Sequence, residues 1–194
     1  MKQLEFTFFP EPVVHARCDT LVVPVPSDER PLRGDAGWID WRLCGEISRN
    51  LLSGCVTGKF GEAILLPGRA PLRAARVLVL GVGPRAGLRD GLVQRMMGEA
   101  AGRLRELRSR SALLALPSGI ELERSAADLL RGLLLGLASQ PARSPFRLVI
   151  PDVAGHEESL EAAMAALLPE ARSRGLALEV GWVSAGSERD AVEA

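Results

Sequence analysis

Several residue types that carry chemistry are scarce in this chain. Of its 194 residues, two are histidines, three are cysteines and none is tyrosine, and the lysines are Lys2 and Lys59 alone. Three cysteines at wide spacing do not form a disulfide framework and are typical of reduced thiols in the cytoplasm. His15 and His156 stand far apart, and no group of His, Cys or carboxylate residues has the spacing of metal ligands. The sequence therefore predicts neither a metal nor a cofactor.

The chain also has no excess of charge of either sign and no long hydrophobic run. The 24 Lys and Arg residues balance 24 Asp and Glu residues, which gives no electrostatic basis for binding nucleic acid or an anionic membrane. Apolar runs such as 133–138 are far shorter than the roughly 20 residues that cross a bilayer. No charged segment followed by an apolar run opens the chain, so no signal peptide is expected. We expect a cytoplasmic protein that binds neither nucleic acid nor membrane.

The chain does have the composition of a folded domain. Hydrophobic residues make up 47% and charged residues 25% of it, both ordinary for globular proteins. A chain of this length buries enough surface to fold without disulfides or metals. We predict a single domain over residues 1–184 and a polar C-terminal tail over residues 185–194.

Strand and helix patterns alternate along the chain. Short apolar runs predict strands at 4–9, 19–25, 63–66, 77–80, 112–116, 146–150 and 176–183. Helical periodicity predicts helices at 38–55, 88–107, 125–138 and 156–172. Gly132 and Gly136, four residues apart, predict close packing of one helix against a neighbour. This order is typical of an α/β fold with three layers, α/β/α, around a mixed, mostly parallel sheet of six or seven strands, in which 63–66 and 77–80 are central.

The stretch 19–84 contains a series of short motifs in a fixed order. They are Asp19-Thr-Leu-Val-Val-Pro-Val25, Leu32-Arg-Gly34, Ile39-Asp40, Gly54, Gly58-Lys-Phe-Gly-Glu62 and Val77-Leu-Val-Leu-Gly-Val-Gly83. In this order they resemble the N-terminal domain of cytosolic leucine aminopeptidases, and the resemblance covers most of residues 1–150. It implies a fold similar to macro domains, which in that family precedes a separate two-metal catalytic domain.

The catalytic features of that family are not found in this sequence. Its metal-binding signature, Asn-Thr-Asp-Ala-Glu-Gly-Arg-Leu, cannot be present, because the one asparagine, Asn50, is followed by Leu51. The chain also ends about where the catalytic domain would begin. We therefore expect no catalytic residues and no peptidase activity, and we expect instead a module that acts by contact with a protein partner or by self-association.

A ligand site is the alternative prediction. Ligands of α/β folds bind at the loops that follow central strands. The resemblance implies a fold similar to macro domains, and macro domains bind ADP-ribose or a related nucleotide at such a place. The loop 26–37 lacks an Asn-rich segment, and Asp35 would repel phosphate. The candidate residues in this cleft are Ser27, Asp28, Arg33, Gly34 and Gly37, with Gly81 and Gly83 on a second wall formed by the loop 81–87.

Two tryptophans mark the start of the first predicted helix. Trp38 and Trp41 flank Asp40 and, three residues apart, face roughly the same side of a helix. If they are exposed, they form a contact pair for a partner subunit, since tryptophan dominates such contacts. If they are buried, they cover the end of the sheet, and this is the slightly favoured interpretation. The same helical pattern predicts that Cys44 packs in the core.

Overall fold

The computed structural model describes residues 2–8, 13, 17–87, 92–117, 122–138, 146–150 and 155–182. Within these ranges the strands are β1 (Lys2–Phe8), β2 (Cys18–Val25), β3 (Ala63–Pro67), β4 (Ala74–Gly81), β5 (Ser111–Leu114), β6 (Phe146–Ile150) and β7 (Leu176–Trp182). The α-helices are α1 (Gly34–Arg42), α2 (Glu46–Leu52), α3 (Leu92–Glu106), α4 (Leu122–Ala138) and α5 (Glu157–Ser173). A 3-10 turn spans Arg85–Gly87. The described helices include none that is long and apolar enough to cross a membrane.

The seven strands form one sheet in the order β3-β4-β2-β5-β6-β1-β7. All neighbours are parallel except β3, which runs antiparallel to β4. In β2, every residue from Thr20 to Val25 is buried, as expected for a parallel strand covered on both faces. The predicted α/β class and the mostly parallel seven-stranded sheet are confirmed.

Helices cover both faces of this sheet. One core lies between the sheet and α3, α4 and α5, and it includes Phe6, Met96 and Leu129. The other core lies under α1 and α2, and it includes Ile39 and Ile47. Alternate residues of each central strand point into opposite cores, which is how one apolar run supplies both layers.

The predicted close packing at the two glycines of α4 is also confirmed. A Cβ atom added to Gly132 would lie 2.5 Å from the carbonyl oxygen of Gln94 in α3, and one added to Gly136 would lie 2.5 Å from the Cβ of Ala101. Any side chain at either position would force the two helices apart.

The single helix predicted over 38–55 is wrong in one respect, since the structure has two helices there. The chain turns between them at Cys44 (φ 53°) and Gly45 (φ 77°), a left-handed conformation that a helix cannot include. Because Cys44 lies in this turn, it is exposed and does not pack in the core as predicted. The apolar stripe stays on the core side across the break, and its members are Ile39, Leu43, Ile47 and Leu51.

The side chain of Asp40 explains how the second helix starts. Its Oδ1 atom accepts hydrogen bonds from the backbone N–H groups of Ile47 (2.8 Å) and Ser48 (3.1 Å), and its Oδ2 atom accepts one from the Ser48 hydroxyl. Those N–H groups belong to the first turn of α2, which has no partners for them within the helix. A carboxylate of α1 therefore caps α2 and fixes the corner between them.

Strand β3 differs from the prediction in its place in the sheet. Within the described part of the chain it pairs with β4 alone and forms one edge of the sheet, although its apolar sequence predicted a central strand. Ile64 and Leu66 face the core, whereas Ala63, Leu65 and Pro67 are exposed. Other boundaries shift slightly: α4 begins at Leu122 instead of 125. The predicted start of the helix at 88 and the tail over 185–194 lie outside the described residues.

Candidate functional site

The predicted ligand loops meet at the carboxyl edge of the sheet. Strands β2 and β4 end side by side, with Val25 opposite Gly81. The loop 26–33 follows β2 and the loop 82–87 follows β4, and we call these two loops, together with the loop 57–62, the rim. The backbone N–H of Ser27 donates to the Gly83 carbonyl (3.0 Å), and the backbone N–H of Arg85 donates to Asp28 Oδ1 (2.8 Å). The structure thus brings together four of the predicted ligand-binding residues, Ser27, Asp28, Gly81 and Gly83.

A buried carboxylate lies at the centre of the rim. Glu29 is only 4% exposed. Its Oε2 atom is 3.2 Å from Nη1 of Arg85, and its Oε1 atom accepts a hydrogen bond from the backbone N–H of Arg33 (3.2 Å). Such charge-assisted contacts are stronger than neutral ones. Sequence reasoning missed Glu29 and Arg85, because nothing local distinguishes a buried glutamate from its neighbours in a polar loop.

A second arginine holds the same loop against the loop 57–62. The guanidinium of Arg30 donates to three backbone carbonyls, those of Pro26 (2.9 Å), Glu29 (2.6 Å) and Thr57 (3.2 Å). Carbonyl oxygens at a chain reversal need donors when they lack partners in regular structure. Arg30 therefore stabilises the loop from within instead of offering its charge to a ligand.

The glycines of the rim serve contacts within the chain. The N–H of Gly81 donates to the carbonyl of Glu62 (2.8 Å) and that of Gly83 donates to the carbonyl of Gly58 (2.8 Å). A Cβ on Gly81 would lie 2.1 Å from the Lys59 carbonyl oxygen. Phosphate binding needs N–H groups that point at the ligand, and these two point into the chain.

The glycines at the start of α1 play a similar part. Gly34 has a φ of 55°, in the left-handed region that favours glycine. A Cβ on Gly37 would lie 2.7 Å from the Leu32 carbonyl oxygen, and its N–H donates to the Arg33 carbonyl (3.2 Å). Nearby, Asp35 Oδ2 accepts a hydrogen bond from the backbone N–H of Leu116 (3.1 Å). The carboxylate therefore ties α1 to the end of β5.

The loop 57–62 wraps a carboxylate of its own. Glu62 Oε2 accepts a hydrogen bond from the backbone N–H of Thr57 (2.7 Å), and the Thr57 hydroxyl lies within 3.0 Å of both carboxylate oxygens. The Thr57 N–H, its hydroxyl and the N–H groups of Lys59 and Gly58 hold the pKa of Glu62 below its ordinary value. Successive N–H groups of this kind form an anion-binding concavity, and here the anion is a side chain of the same loop.

The two tryptophans are exposed, which corrects the slightly favoured expectation of burial. Trp38 is 62% and Trp41 64% exposed. Their rings meet edge to face at 5.9 Å, and the guanidinium of Arg42 lies 5.0 Å from the Trp41 ring centroid. The helix α1 turns Ala36 and Ile39 toward the core, so positions 38 and 41 must face away. We call the surface formed by Trp38, Trp41 and Arg42 the tryptophan face.

Metal-binding and nucleophilic groups are not assembled in the described ranges. No three His, Cys, Asp or Glu side chains among those residues form a group that could hold a metal ion, and His15 lies outside them. Burial raises the pKa of the Cys18 thiol to about 12, so this side chain is protonated at neutral pH and is not a nucleophile. A cavity of about 580 Å³ at the start of α5 is lined by residues 155–159. Two of these, Glu157 and Glu158, are carboxylates.

Comparison with known proteins identifies the family. The model for the N-terminal domain of the cytosol aminopeptidase family matches residues 22–141, and the chain belongs to this family. A probable cytosol aminopeptidase of Syntrophotalea carbinolica is 34% identical over 129 residues, covering 64% of this chain and 25% of that protein. One of Pseudomonas syringae pathovar tomato is 34% identical over 97 residues, covering 50% and 19%. The chain thus spans a quarter or less of the length of these relatives.

Solved structures show the same fold. A tomato leucine aminopeptidase variant superposes with a TM-score of 0.61 at 19% identity, covering 83% of this chain and 35% of that one. A macrodomain of Trypanosoma brucei in complex with ADP-ribose gives 0.67 at 16% identity, covering 82% and 68%. A macrodomain of Oceanobacillus iheyensis with MES bound gives 0.63 at 16% identity, covering 81% and 89%. The predicted resemblance and the macro-domain-like fold are confirmed.

Proposed function

We propose that this chain is a non-catalytic module of the cytosol aminopeptidase family that acts in the cytoplasm through protein contact, in assembly or regulation. The observation that carries the proposal is the exposed tryptophan face. Two tryptophans more than 60% exposed present together about 300 Å² of largely apolar surface, taking about 250 Å² for a whole side chain. A contiguous apolar patch of this size on a folded domain is often a functional contact surface.

The charges around the tryptophan face define the partner. Arg33, which precedes α1, and Arg49, in α2, are exposed, and Arg42 lies against a ring. The acids of the same two helices are engaged within the chain, since Asp40 caps α2 and Glu46 pairs with Arg69 (3.3 Å). The surface is thus apolar at its centre and cationic at its border. It fits a protein surface with an apolar pocket edged by carboxylates.

Site-specific photocrosslinking tests this proposal. A benzophenone amino acid placed at Trp41 should yield one discrete crosslinked partner in cells, and the same group at the exposed Arg172 of α5 serves as the control. The partner, once identified and purified, should bind the wild-type chain with a Kd at least tenfold lower than that of a W38S variant. Equal crosslinking at both positions, or unchanged affinity for W38S, would contradict the proposal.

The absence of catalysis has its own support and test. The matching family model is that of the N-terminal domain, and the sequence lacks the metal-binding signature of the catalytic domain. We expect the purified chain not to release leucine from leucine amide with or without added divalent metals. Turnover that scales with the concentration of the chain would overturn this part of the proposal.

Nucleotide binding is the alternative, favoured by the fold shared with a macrodomain in complex with ADP-ribose. The rim argues against it, because the N–H groups of Gly81 and Gly83 donate within the chain. A thermal-shift titration separates the two functions. A ligand at 100 times its Kd adds about 2.7 kcal/mol, which for a domain of this size raises Tm by about 5–10 °C. An unchanged Tm in millimolar ADP-ribose counts against the alternative, and a shift of that size would favour it.

A further inference from the structure

Strand β3 presents one of its two edges to solvent. Among the strands that the structure describes it is the terminal one, and β4 is its one neighbour. Three of its five residues, Ala63, Leu65 and Pro67, are exposed, and Leu65 is 48% exposed. This is a second surface, separate from the tryptophan face, that can accept another chain.

The hydrogen-bonding direction of each residue in β3 follows from the register. The N–H of Gly81 donates to the Glu62 carbonyl and the N–H of Gly68 donates to the Ala75 carbonyl. The opposed residues Glu62 and Gly81 therefore form a hydrogen-bonded pair, and so do Gly68 and Ala75. Because such pairs alternate along an antiparallel ladder, Ile64 and Leu66 bond to β4. The backbone groups of Ala63 and Leu65, together with the Pro67 carbonyl, point outward.

The usual devices that protect an edge strand are few here. The strand reads Ala-Ile-Leu-Leu-Pro and contains no charged residue, whereas natural edges carry lysine, inward charges or bulges. Pro67 removes one outward donor at the end of the strand. On the opposite edge, β7 carries Glu179, which accepts a hydrogen bond from Gln3 (2.6 Å).

The outward groups of β3 are complementary to those of a second β3 related by a twofold axis. With Leu65 of each copy opposite the other, the two residues exchange both of their hydrogen bonds. The Ala63 N–H of each copy then meets the Pro67 carbonyl of the other, which makes four hydrogen bonds across the axis. A register centred on Ala63 would pair Leu65 with Gly61, which lies outside the strand. Because the formal net charge is zero, two copies do not repel each other at long range.

We infer that this chain forms a twofold dimer by antiparallel pairing of β3 with β3 of a second copy, centred on Leu65, to give one continuous sheet. The inference goes beyond the proposed function, since it concerns another surface and names the partner. The side chains of Leu65 lie next to each other on one face of the joined sheet, and Ile64 lies beside Leu66 of the other copy on the other face.

Disulfide trapping tests the register. A hydrogen-bonded antiparallel pair has Cα atoms about 5.5 Å apart, which lies within the roughly 4.4–6.8 Å range of a disulfide. In a background with C44S and C55S, the L65C variant should oxidise to a covalent dimer. The matched control is L52C, since Leu52 is 81% exposed and belongs to α2, outside the proposed contact. Failure of L65C to form a dimer, or equal yields from both variants, would overturn the proposed register.

Sedimentation velocity tests the dimer itself. The wild type should dimerise with concentration, and L65K should raise the dimer dissociation constant at least tenfold, because like charges directly opposite each other are destabilising. L52K, the matched control, should dimerise as the wild type does. A wild type that stays monomeric at about 100 micromolar, where a micromolar dimer is populated, would overturn the inference and leave the tryptophan-face proposal intact. A dimer abolished by W38S and not by L65K would overturn the inference and assign self-association to the tryptophan face.

Discussion

The rim and the tryptophan face use their side chains and backbone groups in opposite ways. In the rim, the N–H groups of the central glycines, the guanidinium of Arg30 and the carboxylate of Glu29 all have partners within the chain. On the tryptophan face, two large rings contact each other and Arg42, and most of their surface meets water. The sequence predicted a ligand site at the rim only as the alternative function, and it slightly favoured burial of the two tryptophans. The polar groups of the rim are satisfied within the fold, whereas the exposed rings of the tryptophan face form the surface for which we propose contact with a partner.

The largest expected effect is at Gly81, where the rim packs tightest. In G81A, the new Cβ would lie 2.1 Å from a backbone carbonyl of the loop 57–62, and backbone cannot yield as a side chain can. We expect a loss of about 3 kcal/mol or more in the free energy of unfolding, measured by urea denaturation.

The matched control for that variant is G98A. A Cβ at Gly98 meets nothing within 4 Å, and alanine in a helix is favoured over glycine by about 0.5–1 kcal/mol. If G81A were as stable as G98A, the rim would be loosely packed and its contrast with the tryptophan face would fail.

The next effect is at Glu29. In E29Q, the buried side chain keeps its shape and loses the charge that faces Arg85 at 3.2 Å. Because Arg85 is 40% exposed, its guanidinium can be hydrated once its partner is neutral. We therefore expect a loss of about 1–2 kcal/mol in the free energy of unfolding. E106Q removes an exposed carboxylate and should change stability by less than about 0.5 kcal/mol. Equal denaturation midpoints for the two variants would show that the ion pair does not hold the rim.

Acid should weaken the rim through Glu62. The folded-state pKa of Glu62 is lowered, so the stability it contributes is present above its unfolded pKa of about 4.3 and is lost as pH falls through the lower folded value. We expect Tm to fall more steeply below pH 4 for the wild type than for E62Q. Parallel pH profiles for the two proteins would contradict this account.

The smallest effect on stability is expected at the tryptophan face. The double variant W38S/W41S removes exposed side chains, and its free energy of unfolding should stay within about 1 kcal/mol of the wild type. Partner binding should nevertheless be lost, so stability and binding separate at this surface. A large drop in Tm would mean that the tryptophans support the fold, and the comparison with the rim would then fail.

The sequence predicted the fold through patterns that depend on local order. Strands such as β2 and β6 were evident because a strand buried on both faces is apolar over most of its length. The place of β3 at the edge was not evident, since composition does not reveal how many neighbours a strand has. The break between α1 and α2 was hidden because the apolar stripe keeps its spacing across Cys44 and Gly45.

The candidate site was predictable only in part, for a related reason. Turn residues placed the loops of the rim correctly at the ends of β2 and β4. The pairing of Glu29 with Arg85 joins residues far apart in sequence, and no local pattern encodes it. The exposure of Trp38 and Trp41 depends on which side of α1 meets the sheet, and that is decided by the packing of Ile39.

The position of β1 has a consequence for how this protein is made. It lies between β6 and β7, with Leu4 opposite Phe146 on one side and Leu178 on the other. All three strands fall outside the segment 22–141 that matches the family model. During synthesis β1 leaves the ribosome before both of its neighbours, so its edges stay unpaired at least while residues 9–145 emerge. Such non-local pairing slows folding, and the unpaired strand exposes Leu4, Phe6 and Phe8 in the meantime, which favours aggregation of the unfinished chain.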